Sequence, residues 1–276
     1  PLLSKNKKVC FIVLEAMRLD QFYSLKEVLS KNFNIESKPS ISILPTATPF
    51  SRNAIFSGMY PDEFCDFYPD QLQDLKDGKN INSFENLFFD NQLAKKGFDS
   101  LKSHYHKIWS FDEGRKFLRE LDKYAKNNII SIVVNFIDQL AYKRAQSNIL
   151  KEIVPDESSY RKTILDWYEQ SWLKKTMKKL ASKEFTIILT SDHGTIEVQK
   201  PAIVSADKHS SDGIRYKFGR NINLDKKYAL DIRDLAEYRL PSLDYQCNYL
   251  IAKNNYFFVY PNEKNKYAIK LNNSFQ

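Results

Sequence analysis

The chain has 276 residues, of which 42% are hydrophobic, 28% charged and 14% aromatic, with 10 prolines and 7 glycines. A chain of this size can bury roughly 75% of its unfolded surface, so the composition excludes an intrinsically disordered or low-complexity protein and allows a sizeable core. Its 42 basic and 34 acidic residues give a net charge of +8, which favours anionic partners such as nucleic acid, nucleotides or a phosphorylated ligand, and which a lysine-rich solvated surface would also produce.

Along the chain, apolar runs bounded by turn signals alternate with stretches of helical period. Val9 to Leu14 is a continuous apolar run of strand length, and Leu19 to Leu29 follows with helical spacing. Ile41 to Leu44 is a second strand candidate; Pro49 then stands where it can open a helix to Ser57, with Gly58 closing it. The stretch 62–126 reads as a helical insertion. Ile129 to Ile137, rich in β-branched residues, and Phe185 to Thr190 are further buried-strand candidates, separated by a polar helical stretch from about Ser158 to Ser182. Tyr256 to Tyr260 is a late strand, placed at an edge. Strands that are apolar throughout and alternate with helices predict an α/β fold with a mainly parallel sheet and helices on both faces, in a single domain. The longest apolar runs are about half the ~20 residues of a membrane-spanning helix, and the first residues show no secretory n-region/h-region pattern, the sequence opening on Pro1 in a way that leaves room for an upstream segment. Cys10, Cys65 and Cys247 are an odd number without metal-binding spacing, which fits a reducing, cytoplasmic compartment.

In open α/β sheets, ligands bind beyond the carboxyl ends of the strands. Glu15, Arg18 and Asp20 follow the first strand; Thr46, Thr48, Ser51, Arg52 and Asn53 follow the second; Asp138 closes the third; and Ser191-Asp192-His193-Gly194 closes the fourth. Asp192 and His193 offer a carboxylate and an imidazole side by side, ligands that zinc and manganese accept, although such a pair also caps turns and packs. Carboxylates from Glu15 and Asp138 converging there would repel one another unless a cation lay between them. Thr48 before Pro49 reads either as a helix cap or as a nucleophile favoured by the helix N-terminus. Arg215 to Asn221 reads either as a phosphate clamp or as a solvated hairpin edge. His104 and His106, flanking Tyr105, read as packing residues rather than ligands, and Cys10 as buried in the first strand.

Taken in order, Phe11 to Gln21, Ile43 to Gly58, Tyr105 to Ile108, Asn135 to Asp138, Ser191 to Thr195 and Arg215 to Asn221 resemble the PglZ domains of the alkaline phosphatase superfamily. They are most similar to the output domains of PorX-type response regulators of Bacteroidota, which govern type IX protein secretion. The resemblance covers nearly the whole chain. It implies an alkaline phosphatase-like core, two zinc ions and hydrolysis of phosphomonoesters or phosphodiesters, oligonucleotides among them. It further implies that Thr48, ten residues before Gly58 in a Pro-Thr-x-Thr motif, is the nucleophile and a metal ligand. By the same resemblance Asp192, His193 and Glu15 hold the first metal, Glu15 standing where the family has aspartate, and Asp138 belongs to the second. The histidine expected four residues after Asp138 is Tyr142, a poorer zinc ligand, and in the family a further histidine of that site usually lies in a segment close to where this sequence stops at Gln276, which leaves the second site incomplete in this sequence. Arg52, Asn53, Arg215, Lys217 and Arg220 are the candidate holders of the phosphate oxygens. A full-length regulator of this type would carry an upstream receiver domain, and its expected partners are a sensor kinase or sigma factor and a second copy of the chain. Two readings follow. One is a zinc- or manganese-dependent phosphodiesterase or phosphatase; the other is a degenerate phosphatase fold serving as a nucleotide- or protein-binding signalling module.

Overall fold

Three of the apolar runs become parallel strands of one sheet. The computed structural model describes residues 2–5, 7–78, 82–205, 211, 213–243, 246–261 and 274–275. In chain order its first half comprises β1 (Val9–Leu14), α1 (Leu19–Leu29), α2 (Thr48–Ser57), α3 (Pro61–Phe67), α4 (Pro69–Asp77), α5 (Glu85–Lys95), β2 (Ser103–Ile108), α6 (Phe111–Arg119), α7 (Leu121–Tyr124) and β3 (Ile129–Val134). There follow α8 (Phe136–Gln146), α9 (Asn148–Ile153), α10 (Glu157–Gln170), α11 (Trp172–Ala181) and β4 (Thr186–Thr190). The remainder is strands: β5 (Glu197–Val198), β6 (Lys200–Ile203), β7 (Tyr216–Gly219), β8 (Ala229–Ile232), β9 (Asn248–Ala252), β10 (Tyr256–Val259) and β11 (Ser274–Phe275).

The chain divides into two compact units. The first comprises residues 1–42 and 89–194, and the second residues 43–88 and 195–276. In the first unit the strands run in the order β2-β3-β1-β4, all parallel, so β1 and β3 are interior and every residue of β3 is buried. Helices flank this sheet, the α/β arrangement consistent with an alkaline phosphatase-like fold. β4 is an edge strand and is only partly covered, which differs from the buried strand its apolar run predicts. α1 matches its predicted span and buries Gln21, Leu25 and Leu29, one residue per turn of a single face.

Several expectations are corrected. Ile41 to Leu44 is not a strand: Pro45 follows and has no N–H to pair, and Ile41 lies almost fully in solvent. The run Ile129 to Ile137 crosses an element boundary. β3 stops at Val134, Asn135 turns the backbone to φ −92°, ψ 8°, and α8 begins at Phe136. Asp138 therefore lies in the first turn of a helix and does not end a strand. The stretch 62–126 is not purely helical, because it supplies β2, which pairs with β3. His104 and His106 lie on β2 among aromatic rings, as their packing reading predicts. Cys10 is fully buried in β1.

The second unit packs Phe50, Phe64, Cys65, Leu75, Phe218, Ile232, Leu240, Leu243 and Tyr249 into one apolar core. Within it, α2 has the predicted span, and Gly58 closes it in the left-handed region at φ 65°. β7, β9 and β8 form an antiparallel sheet with β7 at its edge, while β10 pairs in parallel with β6 and β11 antiparallel with β5. Among the described residues, no helix is long and apolar enough to cross a membrane.

Candidate metal centre

The register of the parallel sheet brings three polar residues level with one another. Leu14 lies opposite Val134 and Val13 opposite Thr190, so the register continued past the strands brings Glu15 level with Asn135, one residue beyond β3, and with Asp192, two residues beyond β4. All three are buried, Glu15 at 4% and Asp192 at 2% exposure. The backbone N–H of Glu15 donates to the Val134 carbonyl at 3.0 Å, which extends the β1–β3 pairing to the rim. Ala16, at φ 64°, turns the chain so that its own N–H donates to Oδ1 of Asp192 at 3.1 Å. Ser42 Oγ donates to the Asp192 carbonyl at 2.6 Å.

Ligand atoms of Glu15, Asp192 and His193 lie within 4.8 Å of one another, the one such His/Cys/Asp/Glu group among the described residues. Asp138 is not part of it. Asp192 Oδ1 also accepts the backbone N–H of His193 at 3.0 Å, whereas Oδ2 is buried and accepts no hydrogen bond from any described residue. His193 Nδ1 is 2.9 Å from the Gly194 carbonyl, an acceptor, and this contact orients the ring with Nε2 toward Asp192. That Nε2 lies 3.6 Å from Asp192 Oδ2. A carboxylate oxygen and an imidazole nitrogen thus face each other beside a second carboxylate. The arrangement fits a divalent cation bound by Glu15, Asp192 and the imidazole of His193, whose second nitrogen is oriented by a backbone carbonyl.

The other residues singled out in the sequence belong to the second unit or to other tasks. Thr48 is the first residue of α2, and the cap position is Ala47, so Thr48 is not an N-cap. Asn82 Nδ2 donates to the Thr48 carbonyl at 3.3 Å and to Asn53 Oδ1 at 3.1 Å, while Asn53 Nδ2 donates to the Pro49 carbonyl at 2.8 Å. Arg52 is buried and forms an ion pair with the equally buried Glu85 at the start of α5. Neither Asn82 nor Glu85 carries a local sequence signal; they lie 25 and 28 residues after the last residue of α2.

On β7, Lys217 is buried, not solvated. Its Nζ donates to the Ser211 carbonyl at 2.8 Å and lies 4.4 Å from the Tyr260 ring centroid. Arg215 donates to the Tyr256 carbonyl, and burial lowers its pKa. Arg220 is exposed just after the strand. In the first unit, Arg18 and Arg161 both pair with Asp20, so that carboxylate, held below its usual pKa by these partners against the opposing effect of burial, is taken up in an ion-pair network with Glu157. Tyr142 stands one helical turn after Asp138 on α8 and is 62% exposed.

Over residues 1–268 the chain matches the family described as the BREX system PglZ alkaline phosphatase-like domain. None of the curated proteins matches it.

Proposed function

The chain belongs to the family of PglZ alkaline phosphatase-like domains, and from that membership we propose that it is a metal-dependent phosphoesterase whose metal is held by Glu15, Asp192 and His193. The observation that carries this reading is the approach of the buried Asp192 Oδ2 and His193 Nε2 to one another beside the Glu15 carboxylate. Two carboxylates and an imidazole suit zinc, with manganese the second choice. Such an ion, when bound, stabilises charge developing on phosphoryl oxygens and lowers the pKa of a coordinated hydroxyl.

Within this reading Thr48 is the nucleophile, its backbone fixed through Asn82 at the N-terminus of α2. Asp138 is the proposed ligand of a second metal. Arg220, exposed just after β7, is the proposed phosphate contact of that segment. Asn53 and Arg52 support α2 through Asn82 and Glu85, which favours a structural contribution from both. The finer setting rests on the resemblance to PorX-type regulators: a cytoplasmic output domain linked to type IX secretion, acting on phosphodiesters such as oligonucleotides, with a sensor kinase, a sigma factor or a second copy as partner. A second reading, a phosphatase fold with weak or no turnover that signals by binding, is favoured by one observation, the exposed Tyr142 one turn beyond Asp138.

The test is turnover of bis-p-nitrophenyl phosphate and short oligonucleotides by metal-stripped protein reloaded with zinc or manganese. The phosphoesterase reading expects metal-dependent hydrolysis that Thr48→Ala abolishes while the ion is still bound through Glu15, Asp192 and His193. Hydrolysis that survives Thr48→Ala would remove Thr48 as nucleophile, and metal binding without any hydrolysis would favour the signalling reading.

A further inference from the structure

Asn135 occupies the N-cap position of α8, where asparagine ordinarily turns its side chain back onto the helix's own N–H groups. It makes no such bond. Its Nδ2 instead donates to Oε2 of Glu15, 120 residues earlier in the chain, and its Oδ1 is buried with no partner among the described residues. The residue is 1% exposed and its backbone N–H is already satisfied by the Ile108 carbonyl. A buried amide with half of its side-chain capacity unmet carries a desolvation penalty, and a capping residue that does not cap gives up a local gain. Both losses fall on a side chain whose one hydrogen bond goes to a carboxylate of the candidate metal centre.

We infer that Asn135 is the positioning residue of that centre: by donating to Oε2 of Glu15 it fixes the plane of the carboxylate and directs the lone pairs of Oε1 to the cation. The inference rests on the metal-centre reading given above. The chemistry is that of a ligand orienter. A glutamate has three side-chain torsions before its carboxylate, and a donor held on one oxygen reduces the freedom that an ion would otherwise have to restrict. The sheet supplies this donor by register, because Glu15 and Asn135 follow the paired residues Leu14 and Val134. An aspartate or a hydrophobic residue at 135 would keep the turn and the burial but not the donor.

The experiment is calorimetric titration of zinc, and separately manganese, into the metal-stripped full chain. It compares wild type, Asn135→Ala, the similarly sized Asn135→Leu, Glu15→Ala and the double variant Glu15→Ala/Asn135→Ala, with circular dichroism and melting as fold controls. Affinity is expected to fall about 10- to 100-fold in each folded Asn135 variant, the usual effect of losing a partner that orients a ligand. In the Glu15→Ala background, removing Asn135 should change it by less than about twofold, since the residue acts through Glu15. Wild-type affinity in a folded Asn135 variant overturns the proposal, and so does an undiminished loss in the Glu15→Ala background. Loss of cooperative melting in both Asn135 variants assigns the residue to the fold and also overturns it. A wild-type chain that binds neither metal overturns the metal-centre reading itself, an outcome separate from the others.

Discussion

Asp192 accepts the backbone N–H of Ala16 on Oδ1 at 3.1 Å, and this bond ties the exit of β1 to the exit of β4. The same oxygen accepts the His193 N–H, so one carboxylate oxygen is spent on structure and the other is left for a ligand. The two functions can be separated by substitution. Asp192→Asn keeps an acceptor oxygen while removing a charge beside Glu15, and the metal-free variant should melt at or above the wild type with metal affinity strongly reduced. Asp192→Ala orphans two buried N–H groups and should lower stability by about 1–3 kcal/mol for each. Thermal melts with and without metal, followed by calorimetric titration, check both outcomes.

Arg52 and Glu85 form an ion pair inside the second unit, both all but inaccessible to solvent. Arg52→Ala leaves the Glu85 carboxylate buried without its counter-ion, an effect expected at about 3–5 kcal/mol. Replacing both partners with apolar residues of similar volume, Arg52→Met with Glu85→Leu, should be much milder. Urea unfolding of the three proteins measures this; equal losses in the single and double variants would contradict a charge-pairing role.

His104 stacks on Tyr124 at 4.1 Å between ring centroids, and His106 lies 5.1 Å from the Phe117 ring. Burial lowers both pKa values, and for His104 the neighbouring His106 and Lys123 add to the effect. The folded protein therefore holds both rings neutral, while the unfolded chain takes up protons at about pH 6.5. Stability is fully present above that value and is lost as pH falls toward the lowered folded values, because the unfolded state then binds more protons. The urea midpoint should drop between pH 7.5 and 5. In a His104→Gln/His106→Phe variant that slope should flatten.

Gly114, in the middle of α6, lies against the Trp172 indole so closely that a Cβ would come within 2.0 Å of the ring. Trp172 is itself buried and has little room to retreat. Gly114→Ala improves helix propensity by about 1 kcal/mol, yet the overpacking, typically about 1–3 kcal/mol and at such a distance toward the top of that range, should win. The readouts are a lower urea midpoint and a shift in tryptophan emission.

Asp138 and Tyr142 share one face of α8 at the i, i+4 spacing. Tyr142→His would place an imidazole one turn from the carboxylate. If Asp138 belongs to a second metal centre, bound metal measured by atomic absorption should rise toward two per chain; an unchanged stoichiometry would detach Asp138 from that role.

Local pattern carried the parts of the molecule that depend on short range. β1, α1 and α2 lie where their periodicity and punctuation place them, and Glu15, Asp192 and His193 converge as strand-end residues of a parallel sheet should. The errors have physical causes. Ile129 to Ile137 is apolar except at Ser131 and Asn135, both of them buried, so the pattern of hydrophobicity did not distinguish the polar residue inside the strand from the one at the turn. Ser103 to Ile108 alternates no apolar face, since its histidines and tyrosine serve as packing groups, and it was therefore illegible as a strand. Arg52 and Lys217 look like ligand-binding cations in one dimension; their partners Glu85 and Tyr260 lie 33 and 43 residues away, and only the fold brings them together.

The tails of strands usually fray, because their last amides have lost the ladder that protects the interior. Here the amides of Glu15 and Ala16, both outside β1, donate to the last residue of β3 and to the side chain of Asp192, two residues past β4. Their hydrogens should therefore exchange with solvent as slowly as those in the middle of the sheet, reporting large-scale opening rather than local fluctuation. A cation arriving at Glu15 and Asp192 would meet a backbone already ordered, and its binding would be charged little conformational entropy.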